Sequence, residues 1–179
     1  MTYLIVGLGN PDLKYQETRH NTGYLALDQI PGLSWTKEKK GLLAREGNII
    51  FLKPTTYMNL SGEAVRYWMA REKIPLSNVL IICDDLDLDL GKMKIKAGGG
   101  SSHNGLRNIA ENLGTNAYAR LRVGIKTPEF KKEDQVDFVL GDFSSAEKES
   151  LNLPQVLDII KSFIESGIDK TMNTFNRKG

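Results

Sequence analysis

The hydrophobic positions of this chain switch repeatedly between short continuous runs and helical spacing, the pattern of an α/β protein. Leu4-Ile5-Val6 is an apolar run closed by glycines and predicts a buried strand. Helical spacing then runs from His20 towards Ile30, where Pro31-Gly32 ends the helix. Residues 41–52 predict a hairpin, with Gly47-Asn48 at its turn and Ile49-Ile50-Phe51-Leu52 as a second strand stopped by Pro54. A helix is expected from Asn59 to about Glu72, with Ala64, Val65, Trp68 and Met69 on one side, and another buried strand over Val79 to Cys83. Leu106, Ile109, Ala110 and Leu113 recur at helical spacing from a start near Asn104, and Gly114 is placed as the C-terminal cap. A strand follows from Arg120 to Ile125. Ser144-Ser145-Ala146-Glu147 has capping-box spacing and opens a C-terminal helical region interrupted by Pro154.

No repeat or low-complexity linker breaks this alternation, so residues 1–179 are expected to form one domain, long enough to enclose a sizeable core. With 40% hydrophobic and 26% charged residues the composition is that of a globular protein. No apolar run approaches the roughly 20 residues that cross a bilayer, so no membrane partner is expected. The chain opens directly on its first strand, without a basic leader or a small-residue cleavage site, which points to the cytoplasm. Its single cysteine excludes an internal disulfide and a multi-cysteine zinc site. Behind Leu80-Ile81-Ile82, Cys83 reads as a buried strand thiol.

Charge is unevenly spread. Residues 91–132 hold nine Lys or Arg against two acids, a net +7, so the remainder carries −5 of the total +2. Lys92, Lys94 and Lys96 alternate with Met93 and Ile95, and Arg120 and Arg122 with Leu121 and Val123, so each set shares one strand face. Either face alone is an ordinary solvated surface; two in one segment suggest contact with phosphates.

Three polar motifs fall at strand-to-helix junctions, where α/β folds gather their chemistry. The first spans Gly7-Leu8-Gly9-Asn10-Pro11 and Thr18-Arg19-His20-Asn21; the second is Asp84-Asp85-Leu86-Asp87; the third runs from Gly98 to Gly105 and contains His103. His20 and His103 are the only histidines, so imidazole acid–base chemistry near neutral pH must pass through them. The familiar alternatives each lack a part. Asp12 occupies the third glycine position of a dinucleotide fingerprint. The calcium-like run from Asp85 meets Leu90 where glycine is needed and Lys96 where the closing glutamate belongs. Gly91-Lys92 has no following Ser or Thr for a P-loop, and Ser101 lacks the trailing glycine of a nucleophile elbow. What remains is His20, Asp84 and the neutral amides of Asn10, Asn59 and Asn104. A neutral imidazole can take a proton from water, a carboxylate can fix its tautomer, and amides can hold a carbonyl, which together suit metal-free ester hydrolysis. Each asparagine alone is equally at home as a turn or cap residue.

These runs resemble the bacterial-type peptidyl-tRNA hydrolase family over nearly the whole chain. The resemblance is carried by the first two motifs together with Tyr15 and Thr22-Gly23, by Lys53-Pro54-Thr55-Thr56-Tyr57-Met58-Asn59-Leu60-Ser61-Gly62, by His103-Asn104-Gly105-Leu106 and by Arg120-Leu121-Arg122-Val123-Gly124-Ile125. It implies one α/β domain with a mixed, largely parallel sheet flanked by helices. It also implies hydrolysis of the ester between a peptide and the terminal ribose of tRNA, recycling peptidyl-tRNA released early from ribosomes. No cofactor, metal or DNA is implied, and a monomer is expected. By position, His20 would be the general base on water and Asp84 would hold its ring. Asn10 would help discriminate N-blocked from free aminoacyl-tRNA. Tyr15, Tyr57, Asn59 and Asn104 would line the site for the peptide and the tRNA end. Lys96 and Arg122 would grip the terminal 5′-phosphate, and His103 would support the site, paired with Asp87.

Two departures from the family pattern stand out. Asp12 replaces the glycine usual after Asn-Pro, which is expected to reshape a turn that tolerates positive φ. The Gly-rich loop is one residue short, with Ser102 before His103 where glycine is common, so the placement of Asn104 is in question. Two other readings compete: a non-catalytic RNA-binding protein on the same scaffold, for which His20 would be dispensable, and an RNA-cleaving enzyme holding a metal on Asp84, Asp85 and Asp87.

Overall fold

The central strands are the ones whose sequences are continuously apolar. In the computed structural model, which describes residues 1–176, β1 (Tyr3–Gly7) lies between β4 (Ile49–Pro54) and β5 (Val79–Asp89) and runs parallel to both. β7 (Ala119–Lys126) extends the parallel set beyond β5. Antiparallel strands finish both sides: β3 (Gly41–Glu46) on β4, β2 (Thr36–Glu38) on β3, and β6 (Met93–Ala97) on β7. The result is one seven-stranded sheet, mixed and largely parallel, in the order β2-β3-β4-β1-β5-β7-β6. Parallel strands covered on both faces need apolar side chains at every position, which is why Leu4-Ile5-Val6 and Leu80-Ile81-Ile82 show no alternation.

Helices cover both faces. Ile5, Leu80, Ile82, Leu121 and Val123 pack with residues of α1 (Thr22–Asp28) and α6 (Pro154–Phe175). Leu4, Val6, Ile81 and Cys83 pack with α2 (Ser61–Glu72) and α3 (Asn104–Leu113). Each fully buried Leu or Ile stabilises the fold by roughly 1.5–3 kcal/mol, so this frame, rather than the polar site, holds the molecule together. α1 lies close on β1 because Gly23 meets the backbone of Leu8 and Ile82, where a Cβ would collide. Tyr24 N–H donates to the Leu8 carbonyl at 3.2 Å, fixing the start of α1 and the short 3-10 turn Arg19–Asn21 before it.

Two elements differ from the pattern in the sequence. β5 does not end at Cys83: its pairing with β7 continues through Asp85↔Gly124 and, past an irregularity, Asp89↔Lys126, so the acidic run is extended strand. Pro154 starts α6 instead of interrupting it, since a first-turn proline loses no helical hydrogen bond; the break falls at Gly167, with φ 83°. Short α4 (Gln135–Val139) and α5 (Ser145–Ser150) complete the helices, the latter opened by the expected Ser144–Glu147 capping box. Beyond α6, the Asn176 amide lies along β6, accepting from Ile95 N–H at 3.0 Å and donating to Ile95 O at 2.6 Å. Among the described residues no helix is long and apolar enough to cross a membrane.

Candidate active site

Two imidazoles converge on one buried carboxylate. Asp84, in the second half of β5 and 3% exposed, receives His20 Nδ1 at 3.0 Å from each oxygen and His103 Nε2 at 2.9 Å on Oδ1. His103 is the N-cap of α3, and its Nδ1 accepts the backbone N–H groups of Gly105 (3.0 Å) and Leu106 (3.4 Å). That places the His103 proton on Nε2, donated to Asp84. His20 donates from Nδ1, so its Nε2 keeps a lone pair free to accept a proton. Burial works against a charged His20, but the charge and hydrogen bond of Asp84 outweigh it and raise the pKa above the ordinary histidine value. For Asp84, burial favours the neutral acid, yet the two imidazoles hold its pKa well below the usual carboxylate range.

Amide side chains tie the surrounding loops together. Asn21 Oδ1 accepts from Asn10 N–H at 2.9 Å and Asn21 Nδ2 donates to Asn10 O at 3.0 Å. Asn10 Oδ1 in turn accepts Met58 N–H at 2.8 Å. The Met58 bond fixes the orientation of the Asn10 amide, whose Nδ2 carries two N–H donors.

The residues singled out in the sequence all line one cleft of about 900 Å³. His20, Asp84, Asn10 and Asn59 share it with Tyr15 and Tyr57, with Asn104, His103 and Asp87, and with Lys96 and Arg122. The shortened Gly-rich loop therefore still brings Asn104 to the site. Asp12 takes φ −72°, a conformation open to any residue, so it imposes no strain on its turn. Lys96 and Arg122, on β6 and β7, bring two cationic side chains to the cleft wall. Arg122 Nη1 pairs with Asp85 at 3.0 Å while its buried Nε is unpartnered among the described residues.

Two sequence expectations need correction. His103 pairs with Asp84, not Asp87; Asp87 is exposed on β5, its N–H bonded to Asp85 Oδ1, because successive strand positions project to opposite sides and Asp87 lies three along from Asp84. Arg120 is 1% exposed and not part of a basic surface: it donates to the carbonyls of Gly99 (3.0 Å) and Asn116 and stacks on Tyr118, bracing the Gly-rich loop. Other working parts were not assigned from sequence. Asn21 stood inside a quoted motif but carried no sign of its partner, and Asp85 gave none of its pairing with Arg122. The roof of the cleft, with Gln135, Val136, Val139 and Leu140, was missed although Val136, Val139, Leu140 and Phe143 stand at i, i+3, i+4 and i+7, a signal that could have found it. Arg19 anchors that roof: its Nη1 donates to Phe138 O at 3.1 Å, its guanidinium lies 4.2 Å from the Phe138 ring, and Nη2 pairs with Glu147 at 3.1 Å.

His20, Asp84 and His103 bring three ligand-type atoms within 4.8 Å of one another. The nitrogens that face Asp84, His20 Nδ1 and His103 Nε2, already donate protons to it, so a metal held between them and the carboxylate would have to displace both hydrogen bonds. The donor set is better suited to moving protons than to holding an ion.

An imidazole with a free nitrogen, a carboxylate fixing its ring and an amide beside them are groups suited to a histidine-based hydrolase, set here on an α/β fold. The family model for peptidyl-tRNA hydrolase matches residues 4–179. The peptidyl-tRNA hydrolase of Bacteroides fragilis is 50% identical over 99% of this chain and all of its own length. That of Porphyromonas gingivalis is 48% identical, over 98% of this chain and all of its own. The crystal structure of peptidyl-tRNA hydrolase from Acinetobacter baumannii superposes with a TM-score of 0.89 at 34% identity, covering 98% of this chain and 95% of that one. The chain belongs to the peptidyl-tRNA hydrolase family.

Proposed function

We propose that this protein hydrolyses the ester between the peptide and the terminal ribose of peptidyl-tRNA, acting in the cytoplasm as a single-domain monomer and recycling prematurely released peptidyl-tRNA. The observation that carries the reading is the His20–Asp84 pair, with Nε2 left free. His20 Nε2 takes a proton from water as the oxygen attacks the ester carbonyl. Asp84 stabilises the imidazolium that forms, and the imidazolium returns the proton to the departing ribose oxygen. Asn10, oriented by the Met58 bond, presents Nδ2 donors that suit a peptide carbonyl and do not suit a free ammonium group, which favours N-blocked substrates. Tyr15, Tyr57, Asn59 and Asn104 frame the peptide and the tRNA end, with His103 supporting Asp84. Release of the N-acetylated amino acid from an N-acetylated aminoacyl-tRNA tests the reading directly. Turnover is expected, with a chelator changing little. Activity abolished by chelation and restored by magnesium would favour the metal alternative, and tRNA binding without turnover would favour the non-catalytic one.

Lys96 and Arg122 take the 5′-phosphate of the tRNA in this reading. Lys96 has no acidic partner within 4.0 Å among the described residues, and Arg122 keeps donors beyond its bond to Asp85. Neutralising either is expected to raise KM more than it lowers kcat, since binding made equally in ground and transition states is lost. Each lost contact should also reduce the log K against log salt slope by about one unit of Z. The check is enzymatic removal of the 5′-phosphate. It should penalise wild type but not the Lys96→Ala/Arg122→Ala variant, and an equal penalty on both would reduce these residues to solvated surface.

A further inference from the structure

Asp12 and Tyr57 meet at the rim of the cleft. The Tyr57 hydroxyl donates to both carboxylate oxygens of Asp12, at 2.9 and 3.1 Å, joining the loop after β1 to the loop after β4. Hydrogen bonding and the charge of Asp12 raise the Tyr57 pKa, so the phenol keeps the proton it donates. Tyr57 has φ 66° and ψ 156°, a backbone that a bulky residue adopts only where its surroundings enforce it. The next residue supplies the Met58 N–H that occupies Asn10 Oδ1, so one short segment sets both the ring and Asn10.

Strand order shows which part of a substrate this pair faces. Lys96 and Arg122 lie on β6 and β7, Asp84 on β5, and the loops bearing Asp12 and Tyr57 follow β1 and β4. Neighbouring strands are about 4.8 Å apart, so the Asp12–Tyr57 side is separated from β6 by roughly 14 Å or more, with the reacting centre between. If phosphate is held at the β7–β6 side and the ester at Asp84 and His20, the peptide leaves towards β1 and β4. Tyr57 and Leu60 are 45% and 41% exposed there, an aromatic and apolar surface suited to a peptide.

We propose that Asp12 is a positioning residue for the peptide: by anchoring Tyr57 it fixes the surface over which the peptidyl group runs as it leaves the ester. It thereby sets the affinity for peptides longer than one residue. The inference rests on the peptidyl-tRNA reading and concerns a position where the family usually has glycine.

The experiment compares wild type, Asp12→Gly, Tyr57→Phe and the double variant on two substrates, an N-acetylated aminoacyl-tRNA and a tRNA carrying a peptide of several residues. Each single variant is expected to raise KM for the longer peptide about 3- to 10-fold, more than it lowers kcat, with a clearly smaller effect on the short substrate. The double variant should be no worse than either single one, because both remove the same bond. Asp12→Asn, which keeps an acceptor oxygen, should recover most of the loss. The affinity of Asp12→Gly for uncharged tRNA should stay near wild type, as should Tm. Unchanged KM for the longer peptide, equal effects on both substrates, additive losses, or a parallel loss of uncharged-tRNA binding by Asp12→Gly would each overturn the proposal. Wild-type turnover separates the two claims: its absence removes the peptidyl-tRNA reading itself, whereas active variants with wild-type KM remove only the role of Asp12.

Discussion

His20→Ala is expected to lower turnover of an N-acetylated aminoacyl-tRNA by about 10²–10⁴-fold, the range a positioned general base contributes. His103 cannot take over, although its ring centroid is only 4.9 Å from that of His20. One of its nitrogens accepts from the backbone of α3 and the other donates to Asp84, so neither is free to receive a proton from water. The fold should survive, because His20 lies on the cleft wall and Asp84 keeps its bond from His103. Circular dichroism and Tm check the fold, and single-turnover rates check the chemistry. A folded variant that turns over at the wild-type rate would eliminate His20 as the base.

Asp84→Asn should be nearly as damaging, by about 10²-fold or more, because the amide removes the charge that stabilises the imidazolium and can steer the ring to the wrong tautomer. It should also move the pH profile. His20 must be neutral to act, so wild-type kcat/KM rises as pH passes through a pKa raised above the ordinary histidine value. Without the carboxylate, burial alone acts on His20 and lowers that pKa, so the acidic limb should shift to lower pH. Asp85→Asn, one residue along the strand, should instead act mainly on KM through its partner Arg122. Equal turnover losses from the two substitutions, or an acidic limb that stays put in Asp84→Asn, would count against the assignment.

The strands and helices that carry strong periodicity were legible in the sequence, because burial on both faces or on one stripe writes itself into residue spacing. β2 was not, being three residues long, and α4 was not, because its helical spacing extends over only five residues. His20, Asp84, Asn10, Asn59 and Asn104 were legible as candidates from residue type and motif, whereas the places of Tyr15, Tyr57, Lys96 and Arg122 came with the family resemblance. The site's pairings were not legible: two of three bonds to Asp84 come from His20, 64 residues upstream, and the third from His103, 19 downstream. Which carboxylate of the acidic run receives them depends on how far β5 extends. Arg120 misled for a related reason: strand alternation gives the face but not whether a loop folds over it.

The amide of Asn176 closes a position on β6 that would otherwise offer a free N–H and C=O to any passing strand. That closure depends on a residue made about eighty residues after β6 is complete. During synthesis the open rim of the nascent sheet therefore waits for α6 to emerge and dock. Ribosome-bound intermediates halted before Asn176 should be the species most prone to self-association, and the ones most in need of chaperones.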